Sequence, residues 1–162
     1  MTDVVSAQKR SEMMSGIRGK NTRPELQVRK SLFAMGYRFR LHRKDLPGRP
    51  DIVLPRWRVA ILVHGCFWHG HKDCRYAKTP STRTEFWTAK LESNRQRDQR
   101  DLELLRAAGW RTLVIWECFL RSPLRTNLDV ALHDWIEGSL QTGDLREPAE
   151  SRKPQATTTS ST

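Results

Sequence analysis

Hydrophobic and polar positions along this chain follow two periods, and the points where one period gives way to the other mark its elements. Val28, Leu32 and Met35 recur at helical spacing behind Thr22-Arg23-Pro24-Glu25, a Thr/Glu capping pair with proline in the first turn, until Gly36 stops the run. The pattern predicts a helix over 23–35. Tyr37, Phe39 and Leu41 then alternate with Arg38, Arg40 and His42, the period of a half-buried strand over 37–42. Beyond the turn Leu46-Pro47-Gly48-Arg49-Pro50, two more strands are predicted over 51–54 and 57–63, on either side of Pro55-Arg56. From 63 to 83 the period is lost and His, Cys and aromatic residues crowd together, as in a loop that carries chemistry. Thr82-Arg83-Thr84-Glu85 repeats the capping pattern and opens a long charged helix that ends at Gly109. Residues 110–116 read as an apolar, central strand, and Leu128, Leu132, Trp135 and Ile136 as one face of a last helix over 127–140. The order predicts an α/β fold, a mixed β-sheet flanked by helices, in one domain over 1–142. Residues 143–162, rich in Ser, Thr and Pro and almost without large apolar side chains, are expected to form a disordered C-terminal tail.

Composition adds a partner. Lys and Arg number 29 against 18 acids in 162 residues, a formal charge of +11, which calls for a polyanion, with nucleic acid ahead of a membrane surface. The plainer reading is a soluble protein that happens to be basic. The first fifteen residues are interrupted by Asp3, Lys9, Arg10 and Glu12, and the apolar runs at 59–63 and 113–116 are strand-sized. An intracellular, cytoplasmic protein is expected, in which Cys beside His reads as metal binding before disulfide.

The segment HGCFWHGHKDC, residues 64–74, sets Cys66, His69, His71 and Cys74 within one loop, and Cys118 follows the apolar strand. Two thiolates and an imidazole from the loop with one distant thiolate suit a tetrahedral structural zinc site. The expected ligands are Cys66, His71, Cys74 and Cys118, with His69 the alternative to His71. Cys118 alone would pass for a buried free cysteine. Asp51 begins a strand behind Pro50, inside the helix, three strands, helix, strand order of the PD-(D/E)xK nucleases, where such a carboxylate holds magnesium against the scissile phosphate. The acidic residue and Lys usual on the next strand are absent, and Pro50-Asp51 alone would read as a turn.

Arg10-Ser11, Met14, Thr22 and Glu25, followed by LPGRPDIV, HGCFWHGH, TRTEFW, Asn94 and GWRTLVIWEC, resemble in colinear order the very short patch repair (Vsr) endonucleases. The resemblance implies a restriction-endonuclease-like fold and nicking of duplex DNA beside the T of a T·G mismatch left by deamination of 5-methylcytosine. It implies that Asp51 binds magnesium, with the backbone carbonyl of Val63 as second protein ligand. His69 then matches the general base on the attacking water, in place of the missing Lys, and an imidazole titrating near neutrality suits that role. Glu25, His64 and Asn94 match groups that hold water on the metal or the phosphate; Glu25 would otherwise be a capping residue and His69 a spare zinc ligand. Phe67, Trp68 and Trp87, with Met14, match residues that touch DNA, the aromatics by wedging between base pairs beside the mismatch. Trp57, Trp110, Trp116 and Trp135 are read as core, and Arg95, Arg97 and Arg100, alternating with Asp98 and Asp101, as a solvated, salt-bridged helix face. The loop holds Lys72-Asp73 between His71 and Cys74, one residue more than the family pattern.

The expected partners are double-stranded DNA with a T·G pair and, functionally, a cytosine-5 DNA methyltransferase; the chain is expected to act as a monomer. Two rivals stand beside this reading. One is a zinc-stabilised DNA-binding module without catalysis, against which Asp51, Glu25, His69 and Asn94 argue together. The other is a nuclease that cuts unmismatched sites alongside a modification system.

Overall fold

The computed structural model describes residues 21–122 and 127–147. Thr22 caps α1 (Arg23–Ala34), its hydroxyl accepting the Glu25 N–H at 3.4 Å, and proline fills a first-turn position that needs no N–H partner. Val28 and Leu32, the periodic positions of the sequence, are fully buried. Gly36 ends the element in the left-handed region at φ +86°, which costs a residue without Cβ nothing.

Five strands form one sheet in the order β1 (Arg40–Leu41), β2 (Ile52–Leu54), β3 (Val59–His64), β4 (Arg111–Trp116), β5 (Thr142–Leu145). β1, β2 and β3 are antiparallel neighbours, while β3, β4 and β5 run parallel. The crossover between β3 and β4 carries α2 (Thr84–Ala107); α3 (Glu117–Arg121) and α4 (Leu128–Glu137) lie between β4 and β5. Alternation along the strands feeds two cores. Ile52, Ile61, Leu113 and Ile115 face α1 and α4 with Val28, Leu32, Leu132 and Ile136, and Val53, Ala60, Leu62 and Val114 face α2 with Leu105 and Trp110. The result is a three-layer α/β arrangement around a mixed sheet, with the ends of β3 and β4 opening toward the irregular 65–83 segment.

Three expectations change. The strand expected over 37–42 is reduced to Arg40 and Leu41; His42 still donates its N–H to the Asp51 carbonyl at 3.2 Å, and its left-handed φ of +46° ends the strand there. The capping pair at Thr82 and Glu85 is not made: α2 starts at Thr84 behind Arg83 in a left-handed conformation, and the Thr84 hydroxyl donates to the carbonyls of Pro80 and Ser81. The disordered tail expected from Gly143 is corrected at its start. Residues 142–145 extend the sheet, and Glu147 is buried. β5 was invisible to apolar periodicity because ladder hydrogen bonds to β4, rather than buried side chains, hold it. Residues 148–162 lie outside the described residues. Among the described residues no helix is long and apolar enough to cross a membrane.

Candidate active site and metal-binding cluster

Asp51 stands immediately before β2 and Glu25 in the first turn of α1, and the fold brings the two carboxyls into hydrogen-bonding contact. Asp51 is pushed up to about 8, first by burial and then by Glu25, against the opposing pull of the Val63 N–H that its Oδ2 accepts at 2.7 Å. Glu25, despite the upward push of its own burial, is held below its ordinary value by Asp51, by the Asn21 N–H at 2.9 Å and by His42. A buried and a half-buried carboxyl this close share a proton or take a cation between them. His42 Nε2 is 3.1 Å from Glu25 Oε2, and Arg29 pairs with the same oxygen. Glu25, His42 and Asp51 together offer ligand atoms close enough for one ion, a hard oxygen pair with one nitrogen. Of Val63 it is the N–H that meets the carboxylate; the carbonyl expected to bind metal belongs to the same strand-end residue.

Val63 leads directly into His64, whose ring stacks on His69 at 3.8 Å with 2° between the planes. His64 is lowered to about 3 by burial and then by His69, so it is a neutral imidazole at any working pH. Its Nδ1 is buried and unpartnered. His69 donates from Nδ1 to Asp98 Oδ2 at 2.6 Å, which leaves Nε2 as the basic nitrogen. Asp98 was read as part of a solvated helix face, and this contact corrects that. Arg95 on the same helix donates to the Gly70 carbonyl at 3.1 Å, so this face of α2 braces the loop. The histidines and Asp98 border a cavity of about 330 Å³ with Lys72, Arg95 and Arg146 at its rim.

The four residues expected as zinc ligands come together: ligand atoms of Cys66, His71, Cys74 and Cys118 all lie within 4.8 Å of one another. His71 Nδ1 is 3.6 Å from Cys118 Sγ, close to the roughly 3.6 Å edge of a tetrahedron with bonds of about 2.0 and 2.3 Å. Cys66 Sγ accepts the Cys118 N–H and Cys118 Sγ accepts the Glu147 N–H, each at 3.3 Å, an environment made for thiolates. Cys118 is brought down to about 4 by its hydrogen bond with Cys66 first, against its burial and with help from His71; Cys66 is pushed up in return, by Cys118 and then burial. His71 enters this cluster and His69 does not. Trp116, expected in the core, packs against the second core and also borders the site. It stacks on His71 at 3.8 Å and meets His64 edge-on at 5.1 Å, so one indole lies between the cysteine cluster and the His64–His69 pair.

Phe67, Trp68 and Trp87 form a half-buried aromatic cluster with centroids 5.0 to 6.1 Å apart, and exposed Phe86 extends it 5.3 Å from Trp87. Asn94 holds that loop: its Nδ2 donates to the Trp68 carbonyl at 2.8 Å, and its Oδ1 accepts from Arg97. Its amide is thus engaged with protein, not turned out toward a phosphate. Met14 lies outside the described residues.

A family model described as DNA mismatch endonuclease Vsr matches residues 2–76. A type II nicking enzyme of Xanthomonas oryzae pv. oryzae is 55% identical over 120 residues, covering 74% of this chain and 88% of that protein. The DNA mismatch endonuclease Vsr of Escherichia coli is 42% identical over 141 residues, 85% of this chain and 90% of its own. The chain belongs to the Vsr family. As a Vsr endonuclease it hydrolyses phosphodiester bonds in DNA. A type II nicking enzyme of Neisseria meningitidis is 41% identical over 122 residues, 75% and 86% of the two chains.

Three residues of this Vsr site escaped the sequence reading. Asp98 looks like any acid on a charged helix, and its helical register with Arg95, which contacts the same loop, was the available sign. Arg29 stands four residues after Glu25 on the same helix, an i,i+4 spacing that was the available sign, whereas His42 carried no motif because it reaches Glu25 from beyond β1.

Proposed function

We propose that this Vsr endonuclease nicks duplex DNA on the 5′ side of the T in a T·G mismatch left by deamination of 5-methylcytosine. The reading is supported by the Escherichia coli relative's name and by one continuous arrangement: Asp51 bonded to Val63, Val63 joined to His64, His64 stacked on His69, and His69 held by Asp98. Asp51 and Glu25, with the Val63 carbonyl, would hold magnesium, which when bound supplies a Lewis acid at the scissile phosphate. His69, its Nδ1–H fixed by Asp98, accepts at Nε2 the proton of the water that attacks phosphorus. Neutral His64 packs against that ring and keeps a nitrogen for the phosphate or its waters. Cys66, His71, Cys74 and Cys118 would hold a structural zinc, four protein ligands leaving no open position for substrate. Phe67, Trp68 and Trp87 wedge into the weakened mismatch step, with Asn94 bracing them from behind. The chain would work as a monomer in the cytoplasm, alongside a cytosine-5 DNA methyltransferase.

The Xanthomonas and Neisseria relatives are named type II nicking enzymes, a name that specifies no mismatch, and the second reading is nicking at an unmismatched site. One assay separates the two. End-labelled duplexes with T·G or C·G at the same position are incubated with purified chain, with and without magnesium. The mismatch reading expects a single break on the T strand, in magnesium only, and is overturned by equal cutting of both duplexes.

A further inference from the structure

Glu147 belongs to the stretch expected to be disordered, yet it is 6% exposed and touches two arms of the cysteine cluster. Its backbone N–H points at Cys118 Sγ, 3.3 Å away. Its carboxylate meets Arg75, the residue after Cys74, with Oε1 2.5 Å from Nη2. Arg75 and Arg121 both lie over the Tyr76 ring, at 5.0 and 4.3 Å, so the Cys74 loop is also tied to α3, the helix that carries Cys118. Three residues earlier, within β5, Asp144 accepts from the Trp116 indole at 3.0 Å and Trp116 stacks on His71. The segment 144–147 therefore reaches, directly or through one side chain, three of the four ligands.

We propose that Glu147 is a positioning residue of this metal site, its N–H holding the Cys118 sulfur and its carboxylate holding the Cys74 loop through Arg75, so that β5 locks the ligands in place. The inference rests on the zinc reading given above. Cys118 belongs to the sheet-and-helix framework, whereas Cys74 sits on a loop without regular structure, and bringing the two together costs loop entropy. Glu147 bridges them with a charged pair whose carboxylate end is desolvated, stronger than an exposed pair and fixed in direction. Donors and charges of this kind behind the ligands set how firmly a metal is held.

The test uses the full chain and reads zinc directly. Zinc content of the wild type is measured first; a folded chain without the ion overturns the metal reading, and this inference falls with it. With zinc present, release to a chelating dye should be about tenfold faster for Glu147→Gln and for Arg75→Gln, the low end of the range for residues behind metal ligands. Because the two act as one bridge, the double variant should release no faster than either single. Thr22→Ala, which weakens the distant α1 cap, should release at the wild-type rate. Wild-type release from both single variants, additive acceleration in the double, or equal acceleration by Thr22→Ala would each overturn the role of Glu147 and leave the zinc reading standing. Should Glu147→Gln fail to fold, Arg75→Gln, changed at a half-exposed side chain, carries the same comparison.

Discussion

The Asp98 carboxylate accepts from His69 Nδ1, and that contact selects which imidazole nitrogen is free. Asp98→Asn keeps the shape but presents an amide, which can accept or donate toward Nδ1 and no longer enforces the reactive tautomer. Nicking is expected to fall by roughly 10²- to 10⁴-fold, the range for loss of a positioned acid–base group, with DNA affinity little changed. Single-turnover cleavage beside a binding titration reads the two separately; a fall in affinity alone would remove Asp98 from the chemistry. Asp51 supplies a different test. Its folded value near 8 lies above the ordinary 3.8, so the proton it keeps stabilises the metal-free fold. That contribution is complete below about 3.8 and is lost as pH climbs toward about 8, with a slope of up to ~1.4 kcal/mol per pH unit. The melting temperature of metal-free protein should fall across that window, and Asp51→Asn should flatten the profile. An unchanged profile in Asp51→Asn would show that the carboxyl pair does not share its proton as described.

At the level of elements, β5 is the part of the fold least evident from the chain and the part that finishes the site. Its Gly143 passes so close to α4 that a Cβ there would overlap the Trp135 indole, so glycine is required by space and not by a special φ. Gly143→Ala should push β5 from β4 or tilt Trp135, costing about 1 to 3 kcal/mol as overpacking does. Chemical denaturation measures this; a loss within ~0.3 kcal/mol would mean that β5 adjusts freely. Arg111 ties the same region from the other side, donating to the carbonyls of Trp135, Ile136, Gly138 and Leu140 and so closing the C-terminal end of α4. An arginine at the start of an apolar strand looks out of place until those four acceptors are seen around it.

For the whole molecule, a charge of +11 provides attraction for any DNA, so selectivity has to come from elsewhere. The aromatic loop is the part suited to provide it, since Phe67, Trp68 and Trp87 form one half-buried unit rather than part of either core. Trp68→Ala should weaken binding to a T·G duplex by roughly 1 to 3 kcal/mol, the range for an aromatic stacked on a base. Matched duplex, held by phosphate contacts, should lose much less. Competition binding at fixed salt decides it, and equal losses on both duplexes would return these rings to a packing role.

Which groups were legible in the chain depended on how local their signal was. The α1 helix, the strands of residues 52–64 and 111–116, and the Cys/His loop were readable because each rests on periodicity or on spacing within about ten residues. Cys66, His71 and Cys74 stood out through spacing of the same local kind and Asp51, His64 and His69 through the family motifs, while Cys118 entered only as a distant fourth ligand. Contacts between distant segments carry no such mark. Asp98 reaches His69 across 29 residues, His42 reaches Glu25 from the far side of a turn, and Glu147 reaches Arg75 across 72. β5 holds by backbone bonds that need no apolar period, only room at Gly143 beside Trp135, which is why a polar stretch could be a strand. Side-chain order along the chain encodes elements and local ligand sets, because neighbours in sequence share one backbone period. Which His is held by Asp98, which carboxyl is pushed up, and what touches the cysteines follow from close approach and burial, and those exist only once the layers are packed.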